Sequence, residues 1–183
     1  MTDDFLYEND VLSLKQLDGW YNYGHMSRTQ PADDGSGQGV AILVYTKKDN
    51  GSIDKILGRY ENCLPHKSEA EGLTSITGGV DIGSTVLDSA FNELDEEAGY
   101  KKEDVENRLE PLGTCRPSKQ EDSLWHLFAV DATGLDRRED SIGDGTEGEE
   151  GASCDWVEPH VALNCKCPLV PTMMVRAGLM DKL

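Results

Sequence analysis

The sequence predicts an α+β domain in which a mixed β-sheet is covered by helices. Apolar runs of strand length recur along the chain, and one segment has the apolar spacing of a helix. Strands interspersed with few helices favour a mixed sheet. The 183 residues are enough for one domain with a sizeable core, and too few for two domains of ordinary size. We therefore predict a single domain, with N-terminal strands and a loop over residues 1–39 and the main core over residues 40–183.

Most of the strand signals lie in the first third of the chain. Residues 11–23 predict one or two strands around a turn at Asp18-Gly19. Residues 27–39 are rich in Gly, Asp, Ser and Pro, which is typical of a loop. The apolar run Val40 to Tyr45 and the segment Ile53 to Tyr60 flank a Gly-containing turn, so together they predict a hairpin.

The main helix signal begins just after Gly78-Gly79. Val86, Ala90 and Leu94 recur every four residues, and Gly99 suits the position just past a helix end. The other expected elements are a short helix over 101–108, a strand over 123–130, a loop over 136–153, a strand over 154–158 and a helix over 172–182 with Pro171 at its start.

The chain is strongly acidic, with a formal net charge of −18. Such a surface repels phosphate backbones and anionic membranes, so we expect neither nucleic acid nor a membrane as partner. A small phosphorylated substrate is still compatible if divalent cations neutralise its site. The acidic first ten residues do not resemble a signal peptide, and five cysteines, an odd number, suggest reduced thiols. We therefore predict a cytoplasmic location.

Three carboxylates cluster on the main helix. Glu93, Glu96 and Glu97 have spacings of three and four residues, which predict that they share one helix face. Mg²⁺ relieves repulsion in such a cluster because it takes oxygen ligands and bridges carboxylates to phosphates. Gly78-Gly79 would allow the backbone to approach a ligand closely. On spacing alone, however, a solvated acidic helix face is the favoured interpretation.

The segment around these carboxylates resembles a known signature. Residues 78–100, GGVDIGSTVLDSAFNELDEEAGY, are similar to the Nudix box, G-x5-E-x7-R-E-U-x-E-E-x-G-U, in which U is a bulky apolar residue. Two positions depart from it, because Ser84 replaces a Glu and Asn92 replaces an Arg that is thought to orient the neighbouring Glu. Ser84 is a candidate helix cap instead. The matching positions are Gly78, Glu93, Leu94, Glu96, Glu97, Gly99 and Tyr100.

The resemblance to Nudix hydrolases implies an α/β/α sandwich and a metal-dependent hydrolysis. It implies that Mg²⁺, or Mn²⁺ in its place, is held by Glu93, Glu96, Glu97 and a backbone carbonyl near Gly79. Glu93 and Glu96 would also act in catalysis, with a general base from a later loop, for which we favour Glu150. The same loop offers Glu147 and Glu149 as alternatives.

Flanking segments resemble the ADP-ribose and nucleotide-sugar branch of this family. Residues 56–60, ILGRY, and residues 118–130, SKQEDSLWHLFAV, carry this similarity. It implies a substrate such as ADP-ribose or a related nucleotide sugar, cleaved to a nucleoside monophosphate and a sugar phosphate. It also implies a homodimer built through the N-terminal strands.

Three residues are candidates for substrate binding. Arg59 offers a planar fork of donors for a phosphate, with a surface salt bridge as an equal alternative, and Arg116 is a weaker candidate. Trp20 or Tyr23 would stack on a base, although core packing is the favoured interpretation of these aromatic residues.

Other functions remain open. The same box would serve hydrolysis of a nucleoside triphosphate or a dinucleotide polyphosphate, because it handles the diphosphate alone. Ser84 and Asn92 motivate a non-catalytic nucleotide-binding module, whereas the three retained glutamates favour an enzyme. A zinc site is disfavoured because its ligands lack a C-x2-C pair; the residues considered were Cys154, His160, Cys165 and Cys167.

Overall fold

A computed structural model describes residues 3–9, 12–26, 28–61, 72–139 and 151–182. A three-stranded antiparallel sheet, in the order β1-β2-β3, comes first along the chain. Its strands are β1 Asp3–Glu8, β2 Leu12–Leu17 and β3 Tyr21–Met26. The predicted turn joins β2 to β3, with positive φ at Asp18 and Gly19.

The main sheet has the order β10-β5-β4-β9-β8, with β6 pairing β5 and β7 pairing β4. Its strands are β4 Gln38–Lys47, β5 Ile53–Glu61, β6 Gly72–Thr74, β7 Ile76–Gly79, β8 Leu109–Cys115, β9 Leu124–Asp131 and β10 Ser153–Val157. β4 runs parallel to β9 and antiparallel to β5 and β7. The predicted mixed sheet and β4/β5 hairpin are therefore confirmed.

Helices cover both faces of this sheet. They are α1 Val86–Glu96, α2 Lys102–Val105, α3 Pro159–Leu163 and α4 Leu169–Arg176. Alternate residues of β4 enter two separate cores, Val40, Ile42 and Val44 on the side of α1 and α2, and Ala41, Leu43 and Tyr45 on the side of α3 and α4. A strand buried on both faces reads as a continuous apolar run, which is why its sequence predicted it well. The α/β/α sandwich is confirmed.

Several element boundaries differ from the prediction. β8 was not predicted because Pro111 and Gly113 interrupt its pattern, and the register with β9 shifts between them. α4 begins at Leu169, so Pro171 lies inside the first turn, where a missing N–H costs no helical hydrogen bond. The helix ends at Arg176 and not near Lys182. A short 3-10 turn, Met180–Lys182, follows. None of the helices among the described residues is long and apolar enough to cross a membrane.

The N-terminal sheet is attached to the main body through the loop before β9. Gly24 forms a bridge with Glu121, and the Tyr21 hydroxyl donates to the Lys119 carbonyl at 2.5 Å. His25 Nδ1 lies 2.9 Å from Oδ2 of Asp122. These contacts place β3 beside the end of the main sheet at which β4 and β9 begin.

Candidate functional site

Thr85, and not Ser84, caps the helix that carries the glutamates. Thr85 Oγ1 accepts a hydrogen bond from the Asp88 backbone N–H at 3.1 Å and donates one to Asp88 Oδ2 at 2.7 Å. The hydrogen bond from the Thr85 hydroxyl is the main reason why the pKa of Asp88 is lowered. The Ser84 N–H donates to the Asp81 carbonyl in the turn before the helix. The prediction of Ser84 as the cap was therefore wrong by one residue.

The C-terminal end of α1 is fastened by the segment that follows β9. Gly99 has φ +76°, and its carbonyl accepts a hydrogen bond from the Arg138 N–H at 3.1 Å. Arg137 Nε donates to the Ala98 carbonyl at 3.0 Å, and the Arg138 guanidinium pairs with Asp95. Arg137 and Arg138 therefore lie beside the end of α1. The glutamates of the acidic loop, Glu147, Glu149 and Glu150, lie outside the described residues.

Glu93 lies against the backbone of β7. A Cβ added at Gly78 would stand 1.7 Å from Glu93 Oε1 and 2.2 Å from its Cδ. No side chain fits at position 78 while the Glu93 carboxylate occupies this place. The first Gly of the box-like segment thus creates the space that its first retained Glu fills.

Glu97 is a buried carboxylate held from two strands. Its side chain is 3 % exposed, with Oε1 at 3.0 Å from Arg59 Nε. Its Oε2 accepts the Thr77 backbone N–H at 3.1 Å. Arg59 itself is fully buried, so the surface salt bridge considered for it was wrong. Its predicted contact with substrate stays a prediction.

Glu61 is a further carboxylate of this region that the sequence analysis missed. Its Oε2 lies 3.1 Å from the same Arg59 Nε that meets Glu97. Arg59 and Glu61 are two residues apart on β5 and therefore project from the same face. That spacing could have indicated the Arg59–Glu61 pair. The contact with Glu97 could not be predicted in this way, because Glu97 lies on a helix far away in the sequence.

The three helix glutamates occupy three different environments. Glu96 is exposed and is the last residue of α1, Glu93 is half-buried, and Glu97 is the C-cap residue, whose side chain turns inward. Glu97 keeps a helical backbone, with its N–H on the Glu93 carbonyl, and Glu93 and Glu97 both meet β7, so the predicted shared face is not contradicted. In the part of the chain that the structure describes, no group of three or more His, Cys, Asp or Glu is arranged to hold a metal ion.

The outer edge of β7 adds backbone groups to this region. The Val80 N–H donates to the Gln38 carbonyl, and bonded pairs alternate along an antiparallel ladder. The backbone groups of Thr77 and Gly79 therefore point away from β4, and that of Thr77 meets Glu97. The Gly79 carbonyl is directed to the same edge. Carboxylates beside a backbone carbonyl are donors of the kind that Mg²⁺ prefers, so the donor chemistry fits this ion.

Asn92 lies on the α2 side of helix α1, away from the buried Glu97. Its side chain is exposed and lines a small cleft of about 340 Å³ toward α2. Phe91, Lys101, Lys102 and Glu103 also line that cleft. The residue at the Arg position of the box-like segment therefore faces a different side of α1 from Glu97.

A larger cleft of about 620 Å³ opens between the N-terminal sheet and the main body. Arg116 lines it, with Nη2 at 2.6 Å from Asp34 Oδ2 and 3.3 Å from the Ser36 hydroxyl. Two of its cations, Lys15 and Lys119, were not among the predicted site residues. Lys15 faces Tyr23 and Leu17 faces Tyr21 across the β2/β3 pair. Because side chains alternate along a strand, the spacing of these residues around the predicted turn could have indicated that they share one face. The cleft is lined by Lys15, Leu17, Tyr21, Tyr23, Asp34, Gly35, Ser36, Arg116, Lys119, Glu121 and Asp122.

Trp20 stands beside this cleft, on the β2/β3 turn. It is 76 % exposed and packs edge-on against the Tyr21 ring, with centroids 5.5 Å apart. The favoured interpretation of Trp20 as a core residue was therefore wrong. Whether it stacks on a base stays a prediction.

Cys154, Cys165, Cys167 and His126 all lie in packed parts of the structure. Cys154 lies in the core on the α1 side, opposite Arg59 in the β5/β10 ladder, whereas Cys165 and Cys167 pack on the α3 and α4 side. Burial raises the pKa of Cys154 to about 11. His126 Nε2 lies 2.7 Å from Gln38 Oε1, and burial lowers its pKa.

The architecture is that of the Nudix hydrolases. The chain is similar to a structure described as an ADP compounds hydrolase, with a TM-score of 0.51 and 16 % identity over 86 % of this chain and 75 % of that one. It is also similar to a Nudix hydrolase from Nitrosomonas europaea, with a TM-score of 0.56 and 19 % identity over 80 % of this chain and 95 % of that one. At these identities the likeness shows the fold. No protein-family model matches the chain, and no curated protein matches it in sequence.

Proposed function

We propose that the protein is a Mg²⁺-dependent Nudix-type pyrophosphatase. It would cleave a nucleoside diphosphate linked to another group, most favourably ADP-ribose or a related nucleotide sugar, to a nucleoside monophosphate and a sugar phosphate. The observation that carries the proposal is the Glu93 carboxylate in the space left by Gly78, next to the strand edge where Glu97 is held. The name of one compared structure, an ADP compounds hydrolase, agrees with this substrate class.

The metal would be held by Glu93, Glu96, Glu97 and the carbonyl of Gly79, and Mn²⁺ would substitute for Mg²⁺. When bound, it would neutralise the diphosphate and lower the pKa of a coordinated water. The Glu97 carboxylate is held by Arg59 and by the Thr77 N–H beside Gly79, which places it next to the other proposed ligands. A carboxylate of the acidic loop, Glu150 by preference, would take the proton of the attacking water.

The nucleoside half of the substrate would enter the larger cleft. Arg116, Lys15 and Lys119 supply positive charge in a strongly acidic protein, and Arg can pair with a phosphate through two donors. Tyr23 or Trp20 would offer an aromatic face to the base. Thr29 lies beside the proposed metal ligand Gly79, because its methyl is 3.0 Å from a Cβ placed there, and its hydroxyl accepts the Gln38 N–H.

The assay that tests the proposal is AMP release from ADP-ribose with Mg²⁺, run beside Glu93→Gln. Metal-dependent turnover that Glu93→Gln abolishes supports the enzyme. Release of pyrophosphate from a nucleoside triphosphate, with no cleavage of ADP-ribose, would favour a triphosphate or dinucleotide polyphosphate pyrophosphatase.

A catalytically weak nucleotide-binding module is the second candidate function. Asn92 carries no charge and faces away from Glu97, and the described side chains form no three-ligand metal group. This candidate predicts ligand binding without turnover. Titration calorimetry with AMP, ADP and ADP-ribose, on a chain that cleaves none of them, would establish it.

We also propose a cytoplasmic homodimer that contacts its copy through the N-terminal sheet. Large apolar side chains are exposed on this sheet and its turn, namely Leu6, Tyr7, Leu12, Leu14 and Trp20. The described cysteines form no disulfide, as expected in a reducing compartment. A monomer mass in light scattering would refute the dimer.

A further inference from the structure

We infer that Arg59 is a positioning residue that holds Glu97 for the metal site, in place of the Arg that is missing at position 92. This inference rests on the proposed metal-dependent function. It gives Arg59 a role different from the phosphate contact for which its sequence made it a candidate.

Two strands fix the orientation of the Glu97 carboxylate. Arg59 Nε lies 3.0 Å from Glu97 Oε1, while the Thr77 N–H holds the other oxygen of that carboxylate. Two contacts from two strands, β5 and β7, thus define the orientation of one carboxylate. Thr77 is two residues before Gly79, the proposed carbonyl ligand, so the same strand edge fixes both donors.

Arg59 also balances the buried negative charge of Glu97. Glu97 and Arg59 are both nearly or fully buried, with side-chain exposures of 3 % and 0 %. An ionised carboxylate at such a position needs a paired cation, since an unpaired buried charge is strongly unfavourable. Arg59 supplies that cation and also meets Glu61, whose side chain reaches solvent at 27 % exposure.

Neither Asn92 as partner of Glu97 nor a phosphate as partner of Arg59 fits the geometry. Asn92 is exposed on the α2 side of the helix, so it cannot replace the contact. Arg59 lies between β6 and β10, paired with Thr74 and Cys154 in the ladders. The Arg59 side chain is fully buried, so a phosphate could reach its guanidinium only by entering the interior beside the carboxylates of Glu61 and Glu97, which would repel it.

The experiment compares Arg59→Lys with Arg108→Lys. Lys keeps the charge of Arg59 but lacks its Nε donor. Arg108 is the matched control, because its Nη1 donates to the carbonyls of Asp131 and Thr133, away from the glutamates. Each chain is measured for Mn²⁺ affinity by electron paramagnetic resonance without substrate, for kcat and KM with ADP-ribose, and for melting temperature.

Arg59→Lys is expected to weaken Mn²⁺ binding and lower kcat by about 10-fold or more, the usual effect of losing a group that orients a metal ligand. KM should change less than about twofold, and Arg108→Lys should change none of the three. The double variant Arg59→Met/Glu97→Gln removes both buried charges together. It should regain melting temperature relative to Arg59→Met without regaining Mn²⁺ affinity, which separates positioning from folding.

Three results would overturn the inference. A raised KM with unchanged Mn²⁺ affinity would make Arg59 a substrate ligand. A lower melting temperature with unchanged Mn²⁺ affinity would make the pair purely structural, and a wild-type chain that binds no Mn²⁺ would leave Arg59 nothing to position. Absence of turnover on every diphosphate, together with Mn²⁺ binding that Arg59→Lys weakens, would instead refute the proposed function and retain the positioning residue.

Discussion

The Glu93 carboxylate packs directly over the Cα of Gly78, at a distance that leaves no room for a Cβ. An added Cβ would stand 1.7 Å from Glu93 Oε1. This contact joins helix α1 to strand β7 at the centre of the proposed site. It explains in physical terms why a glycine stands fifteen residues before the first retained glutamate.

Gly78→Ala should destabilise the protein and abolish metal-dependent turnover. The new methyl must displace the Glu93 carboxylate, and overpacking of this kind costs about 1–3 kcal/mol. Gly72→Ala is the matched control, since nothing lies within 4 Å of a Cβ placed there. Urea unfolding and ADP-ribose turnover measure both effects. Equal stability and activity in the two variants would contradict the described position of Glu93.

Gly99→Ala should destabilise the protein more than Gly134→Ala. Both glycines have positive φ, +76° and +74°, so each substitution carries backbone strain of about 1–2 kcal/mol. A Cβ at Gly99 would also stand 2.2 Å from the Arg138 carbonyl oxygen, whereas nothing lies within 4 Å at Gly134. The difference between the two free energies of unfolding measures how firmly the Arg138 segment is fastened to α1. A difference near zero would show that the segment simply moves away.

Thr85→Ala and Ser84→Ala should differ although the residues are neighbours. Loss of the Thr85 cap should cost about 1 kcal/mol, whereas Ser84→Ala should stay within about 0.5 kcal/mol of the parent. The larger loss at Ser84 would restore that residue as the cap. Denaturant unfolding of the two variants gives the comparison.

Sequence reasoning succeeded where a local pattern carries the structure. The run Val40 to Tyr45 is buried on both faces, so its composition alone predicts a strand. It failed for β8, where Pro111 and Gly113 hide the strand.

The candidate site divides in the same way. Gly78 and Glu93 belong to one motif, which identified both residues, but the contact between them was visible only in the structure. Helical spacing placed Glu97 on the side of α1 that carries Glu93, and both side chains meet β7, but spacing does not name the partner of Glu97. The contact of Glu97 with Arg59 depends on how α1 packs against β5, which no local periodicity encodes.

Lys119→Met should raise the KM for ADP-ribose while leaving kcat within about twofold. Lys119 lines the larger cleft, and loss of one charged contact that is equally strong in ground and transition states changes KM alone. A tenfold effect corresponds to about 1.4 kcal/mol. Lys48→Met removes the same charge at the β4/β5 hairpin, at the far end of β4, and should have no effect. An equal change of KM in both variants would show that the effect comes from the net charge of the protein and not from a contact in the cleft.

The Cys154 thiol should make the stability of the protein depend on pH above about 9. Burial raises the pKa of Cys154 from 9.0 to about 11 in the folded chain. Between these values the unfolded chain loses the proton that the folded chain retains, so the free energy of unfolding must fall as the pH rises. Urea midpoints from pH 8 to pH 11 should therefore decline more steeply for the parent than for Cys154→Ala, which lacks the titrating group. Parallel declines would show that the Cys154 pKa is the same in the folded and unfolded chains, and a steeper decline for Cys154→Ala would reverse the sign of the shift.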